Sequence, residues 1–167
     1  MLDREMADAA RGLLDLCKRK KLTLAAAESC TGGLLIAALT EIPGSSEVID
    51  RGFVTYTNDA KREMLDVPAD TIEKYGAVSF ETAEAMVRGV LARTPVNLAV
   101  SITGIAGPTG GTSAKPIGLV HIAAASRGGR LDHHESRFGD IGRAEVRKRS
   151  VLQALAMLSA IAEAINP

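Results

Sequence analysis

The sequence predicts an α/β domain, a three-layer α/β/α sandwich with a mixed sheet. Three observations lead there. Short apolar runs of strand composition alternate with helical segments along the chain. The later strand runs follow one another closely, as antiparallel neighbours do. Residues 31–39 are apolar on every side once past their glycines, which suits a buried helix. With 167 residues, 46% of them hydrophobic, the chain has mass for one core, and residues 1–167 read as a single domain.

The elements follow in order. Residues 3–20 place acids early and Lys18, Arg19 and Lys20 late, matching a helix dipole, with Leu13, Leu14 and Cys17 among the apolar positions. Residues 22–27 form a short buried strand despite the weak β-propensity of alanine. Residues 52–57, GFVTYT, have strand composition. Asn58 caps a short helix carrying Lys61, Met64 and Leu65, and Pro68 stops it. Residues 80–93 set Ala83, Met86, Val87 and Val90 on one helical face. Residues 98–102 and 117–124 are β-like runs separated by GIAGPTGGTSAKP, and residues 133–138 are a further strand. A long helix starts at Asp140 or Gly142, with Val146, Leu152, Leu155, Leu158 and Ile161 on its apolar side.

Composition excludes several classes of function. Twenty basic and twenty acidic residues cancel, which is no footprint for nucleic acid. Aromatics are 3% and Trp is absent, so stacking platforms for single strands are lacking. Seven basic residues against four acidic ones in residues 127–149 suit a small anion better than a duplex. No apolar run approaches the ~20 residues of a membrane span, and no signal segment opens the chain. Two cysteines, Cys17 and Cys30, without metal-type spacing fit a reduced cytoplasmic protein.

Three stretches carry chemistry. In Glu28-Ser29-Cys30-Thr31-Gly32-Gly33, one hydroxyl is explained as a helix cap. Two glycines at a helix start are not, since each costs ~1 kcal/mol relative to Ala. They let a ligand approach bare backbone, where the helix N-terminus favours an anion or oxyanion. The second stretch, residues 103–112, is too long and glycine-rich for a hairpin turn and matches neither a P-loop nor a dinucleotide fingerprint. It reads as a backbone cradle for a phosphate or carbonyl, as against a mobile surface loop. The third comprises Gly44-Ser45-Ser46 and Tyr56 to Lys61. A desolvated Lys loses its proton near neutrality, and a Tyr or Ser relays it to a hydroxyl nucleophile. Cys30 competes with Ser29 as nucleophile. A thiolate would want a histidine, however, and His121, His133 and His134 lie in predicted strands far along the chain, so a buried inert thiol is the better reading. His133 and His134, adjacent in a strand, point to opposite faces and share no metal; no metal or cofactor is expected.

Together AESCTGG (27–33), GFVTYTNDAK (52–61), GAVS (76–79) and SITGIAGPTGG (101–111) resemble the C-terminal domain family of the competence/damage-inducible protein CinA. The similarity spans almost the full chain. Stand-alone members of that family are nicotinamide-nucleotide amidases, which hydrolyse nicotinamide mononucleotide (NMN) to nicotinate mononucleotide and ammonia without a metal. The resemblance implies Ser29 as nucleophile, Lys61 and Tyr56 as base and relay, and Ser46 as a supporting hydroxyl. It implies substrate contacts from Thr103 and the glycines after it, Gly104 and Gly107 among them, and from Arg143 to phosphate. Thr31, Gly32 and Gly33 complete the expected substrate-binding set. The amino-terminal domain that fused CinA proteins carry is not represented in the sequence. Two other readings stay open: a nucleotide-binding module without chemistry, which ammonia release would exclude, and an interaction protein, which NMN affinity would exclude. The expected partner is the nucleotide, with no nucleic acid or membrane, and symmetry favours a homodimer.

Overall fold

The computed structural model describes residues 3–166. Helix α1 (Arg4–Lys20) is capped by Asp3, whose carboxylate accepts from the Glu5 N–H at 2.9 Å, and it ends at Lys21 in the left-handed region. Strand β1 (Leu24–Glu28) leads through the glycine pair into α2 (Leu34–Thr40). A single 3-10 turn (Ser45–Glu47) precedes β2 (Ile49–Val54). Helices α3 (Asn58–Leu65), α4 (Ala69–Tyr75) and α5 (Phe80–Arg93) follow. Strands β3 (Leu98–Gly104), β4 (Leu119–Ser126) and β5 (Leu131–Arg137) come next, and α6 (Arg143–Ala164) closes the chain.

The strands form one mixed sheet in the order β2-β1-β3-β4-β5. β1 runs parallel to both β2 and β3, while β4 and β5 continue antiparallel. Side-chain alternation sorts the two faces. Leu24, Ala26, Leu98, Val100, Ile102, Val120 and Ile122 face α1, α2 and α6. Ala25, Ala27, Ala99, Ala123 and Ala125 face α5, with α3 and α4 outside it. Under α5 the second face is mainly alanine methyl groups, and Ser101 there donates to the Ala83 carbonyl at 2.6 Å. Gly89 on α5 is needed for its size: a Cβ there would sit 2.2 Å from the Leu65 carbonyl oxygen of α3. The expected three-layer α/β/α sandwich with a mixed sheet is the architecture found.

Element bounds differ from expectation for identifiable reasons. α2 begins at Leu34 because Gly32 and Gly33 take positive φ, and β2 lies three residues earlier than expected. Thr57, not Asn58, caps α3, its hydroxyl accepting from the Ala60 N–H at 3.0 Å. Asp66, in the left-handed region, ends α3, and Pro68 opens the unexpected α4.

Candidate active site

β1 and β3 deliver their C-terminal ends to the same end of the sheet, and a pocket of about 340 Å³ opens there. Its floor is Ser29, directly after β1, and Lys61 from the first turn of α3. Thr103 and Gly104 end β3 on one side, Ala77 and Val78 form a wall, and Gly107, Thr109 and Gly110 form the far rim. Tyr56, Asn58 and Arg143 stand at the mouth.

Lys61 is the unusual residue. It is 1% exposed, and it is among the largest fully buried side chains of the protein. Its Nζ lies 3.0 Å from Ser29 Oγ and donates to the Thr55 carbonyl at 2.9 Å. Burial lowers its pKa from the ordinary 10.5, because the charged form is poorly solvated there. The Thr55 carbonyl can only accept, so it fixes one N–H of the amine. The lone pair of a neutral amine is then free to take the Ser29 hydroxyl proton. That arrangement is a hydroxyl nucleophile with its base already at hydrogen-bond distance.

Cys30, 6% exposed, is buried beside Ser29, and burial pushes its thiol up to about 12. A thiol held protonated in this way is a poor nucleophile. Thr103 donates its hydroxyl to the Ala77 carbonyl at 2.7 Å, so in this structure it straps the GAVS wall to β3. Arg143, the first residue of α6, bridges the mouth. It donates to the Gly107 carbonyl at 2.9 Å and to Tyr56 Oη at 3.0 Å. On the loop itself, the backbone N–H groups of Ala106, Gly107, Thr109 and Gly110 have no acceptor among the described residues.

Tyr56 lines the same pocket as Ser29 and Lys61, but it is 57% exposed and bonds Arg143, and no hydrogen bond joins it to either residue. Three expectations need correction. Ser46 is exposed in the turn before β2, and β2 runs parallel to β1, so Ser46 lies at the opposite end of the sheet from Ser29. Thr31, Gly32 and Gly33 flank the pocket without lining it. The N terminus of α2 is not open to an anion either. Glu28, 0% exposed, accepts from the N–H groups of Gly33 at 3.2 Å, Leu35 at 3.0 Å and Ile36 at 2.9 Å. The Gly32 N–H is also used, by the Ser29 carbonyl at 3.0 Å.

Sequence reasoning left Glu28 and Arg147 without roles. Glu28 had a signal, a carboxylate ahead of a helix whose capping position is a glycine. Arg147 donates to the Thr31 carbonyl at 2.8 Å from across the layer, and only the fold makes that contact visible. His121 and His133 do meet, Nδ1 to Nε2 at 2.9 Å, on the α5 face of β4 and β5. Among the described residues, no group of three or more His, Cys, Asp or Glu is placed to hold a metal ion, and no helix is long and apolar enough to cross a membrane.

The family model for the CinA C-terminal domain matches residues 6–162. A putative competence-damage inducible protein of Caldicellulosiruptor bescii is 44% identical over 137 residues, which are 82% of this chain and 33% of that protein. One from Clostridium acetobutylicum is 53% identical over 109 residues, 65% of this chain and 26% of that protein. The chain thus spans about a third or less of the length of these relatives. Among solved structures, the competence/damage inducible protein CihA of Agrobacterium tumefaciens is 52% identical. It superposes with a TM-score of 0.95 over 96% of this chain and 98% of its own. A CinA superfamily protein of Klebsiella pneumoniae is 32% identical with a TM-score of 0.89, over 95% of this chain and 98% of its own.

Proposed function

The chain belongs to the CinA C-terminal domain family, and on that footing we propose that it is a nicotinamide-nucleotide amidase. The reaction is hydrolysis of the NMN carboxamide to nicotinate mononucleotide and ammonia. One observation carries the reading: a buried lysine amine 3.0 Å from a serine hydroxyl, in a pocket rimmed by an arginine and free backbone N–H groups. Ser29 Oγ attacks the amide carbon while Lys61 takes its proton. Lys61 then returns that proton to the departing amine, leaving an ester on Ser29 and free ammonia. Water, activated by the same amine, cleaves the ester to the carboxylate and restores Ser29.

The anion end of the substrate has its own groups. Arg143 is a fixed guanidinium suited to a phosphate, and the N–H groups of residues 106–110 suit the same charge. To receive it, Arg143 exchanges its bonds to Gly107 and Tyr56 for bonds to phosphate. Binding energy from that remote contact orients the carboxamide on Ser29.

Incubation of the purified protein with NMN, followed by measurement of ammonia and nicotinate mononucleotide, tests the proposal. Saturable NMN binding without either product would leave a nucleotide-binding module in its place.

A further inference from the structure

We infer that Arg147, acting with Glu28, is a positioning residue for the Ser29 nucleophile. The inference rests on the amidase reading above. Ser29 heads a turn, residues 29–33, that contains two adjoining positive-φ glycines, Gly32 at +58° and Gly33 at +96°. Ser29 itself is tied to β3, its N–H donating to the Ile102 carbonyl at 2.9 Å, but glycine backbone is the least restrained in a chain, so the turn that follows needs restraint from outside. That restraint comes from two sides.

From beneath, the Glu28 carboxylate takes the N–H groups of Gly33, Leu35 and Ile36, at a helix start where Gly33 offers no side-chain cap. From α6, Arg147 Nη2 donates to the Thr31 carbonyl at 2.8 Å, an oxygen that also accepts from the Leu34 N–H at 3.1 Å. The flexible pair is therefore bracketed, with Thr31 pinned before it and residues 33–36 pinned after it. With its carbonyls so directed, the turn leaves the N–H of Cys30, beside the nucleophile, without an acceptor among the described residues.

The cost of the arrangement argues for its purpose. Arg147 Nε is buried and has no hydrogen-bond partner among the described residues. Packing alone would be served better by an apolar side chain, since a desolvated donor left unpaired is unfavourable. Arg147 also stands one helical turn from Arg143, so one helix holds both the nucleophile turn and the loop rim.

The test compares Arg147→Met, Arg147→Lys and Glu28→Gln with the wild type in three measurements. These are kcat and KM for NMN, the rate at which a fluorophosphonate modifies Ser29 as followed by mass spectrometry, and thermal unfolding. Arg147→Met should lower kcat and the Ser29 modification rate together, by about 10- to 100-fold, with KM changed less than about twofold. Arg147→Lys, whose ammonium can still donate to the Thr31 carbonyl, should recover part of both losses. Glu28→Gln, if it folds, should repeat the Arg147→Met pattern. Wild-type kcat and modification rate in Arg147→Met, with only the unfolding temperature lowered, would overturn the inference. So would a raised KM at unchanged kcat. A wild-type protein that neither releases ammonia nor is modified at Ser29 would instead refute the amidase reading itself.

Discussion

Replacing Lys61 with Met removes the amine while keeping a long apolar side chain in the same space. General-base assistance contributes about 10²–10⁴-fold. Ser29 Oγ has no other hydrogen-bond partner among the described residues, so no second base stands ready. The kcat/KM for NMN should fall by about 10³-fold, or ~4 kcal/mol of transition-state stabilisation. Stability should change far less, because two effects oppose. Met relieves the burial of an amine, but the Thr55 carbonyl loses its donor, at a cost of about 1–3 kcal/mol. The pH dependence separates base from scaffold. In the folded protein the Lys61 pKa is lowered, while in the unfolded chain it stays at the ordinary 10.5. Between those values the unfolded chain binds more protons. Wild-type stability therefore rises with pH through that window, by at most ~1.4 kcal/mol per unit, and is lost again as pH falls through the lowered value. Lys61→Met should lack that slope in denaturant titrations. The residual turnover, followed as ammonia release, should lack the rise of kcat/KM through the lowered value. A variant keeping more than a tenth of wild-type kcat/KM, with the same rise, would refute Lys61 as the base.

Other outcomes follow from the same geometry. Ser29→Ala should abolish ammonia release yet bind NMN with near-wild-type affinity by calorimetry, whereas Cys30→Ala should retain most activity. Arg143→Ala should lower kcat/KM for NMN by about 10- to 100-fold, the loss of one charged hydrogen bond, and leave any turnover of free nicotinamide unchanged. Equal loss on both substrates would assign Arg143 to the fold. Ser46→Ala should match wild type in both kcat and KM, since its turn lies at the far end of the sheet. Gly89→Ala should destabilise the fold by about 1–3 kcal/mol in denaturant unfolding, because its Cβ would press on the Leu65 carbonyl and push α5 from α3.

Much of the fold could be read from side-chain periodicity. Helix α5 begins and ends at the expected residues because its buried positions repeat at helical spacing and Ser79 caps it. Helix α4 was missed because none of its seven residues is buried, so it carries no apolar stripe to detect. The site was legible as motifs but not as contacts. The burial of Lys61 is hidden in the sequence by its charged neighbours Asp59 and Arg62. Helix capping was sought in the hydroxyls of residues 29 and 31, next to the helix, whereas the acceptor is Glu28, still in the strand. Ser46 was misplaced because strand direction, not sequence distance, decides which end of a sheet a loop occupies.

Strand β1 also acts as a ruler. Glu28 and Ser29 are consecutive, yet one serves the layer of α2 and α6 and the other the layer of α3. Lengthening β1 by one residue carries Glu28 into the place of Ser29. A carboxylate would then sit beside the Lys61 amine and keep it protonated, and the first turn of α2 would lose its acceptor. A one-residue insertion just before Glu28 therefore disables the base and uncaps the helix together. In this fold, the identity of the nucleophile is stored as much in the length of a five-residue strand as in the serine that follows it.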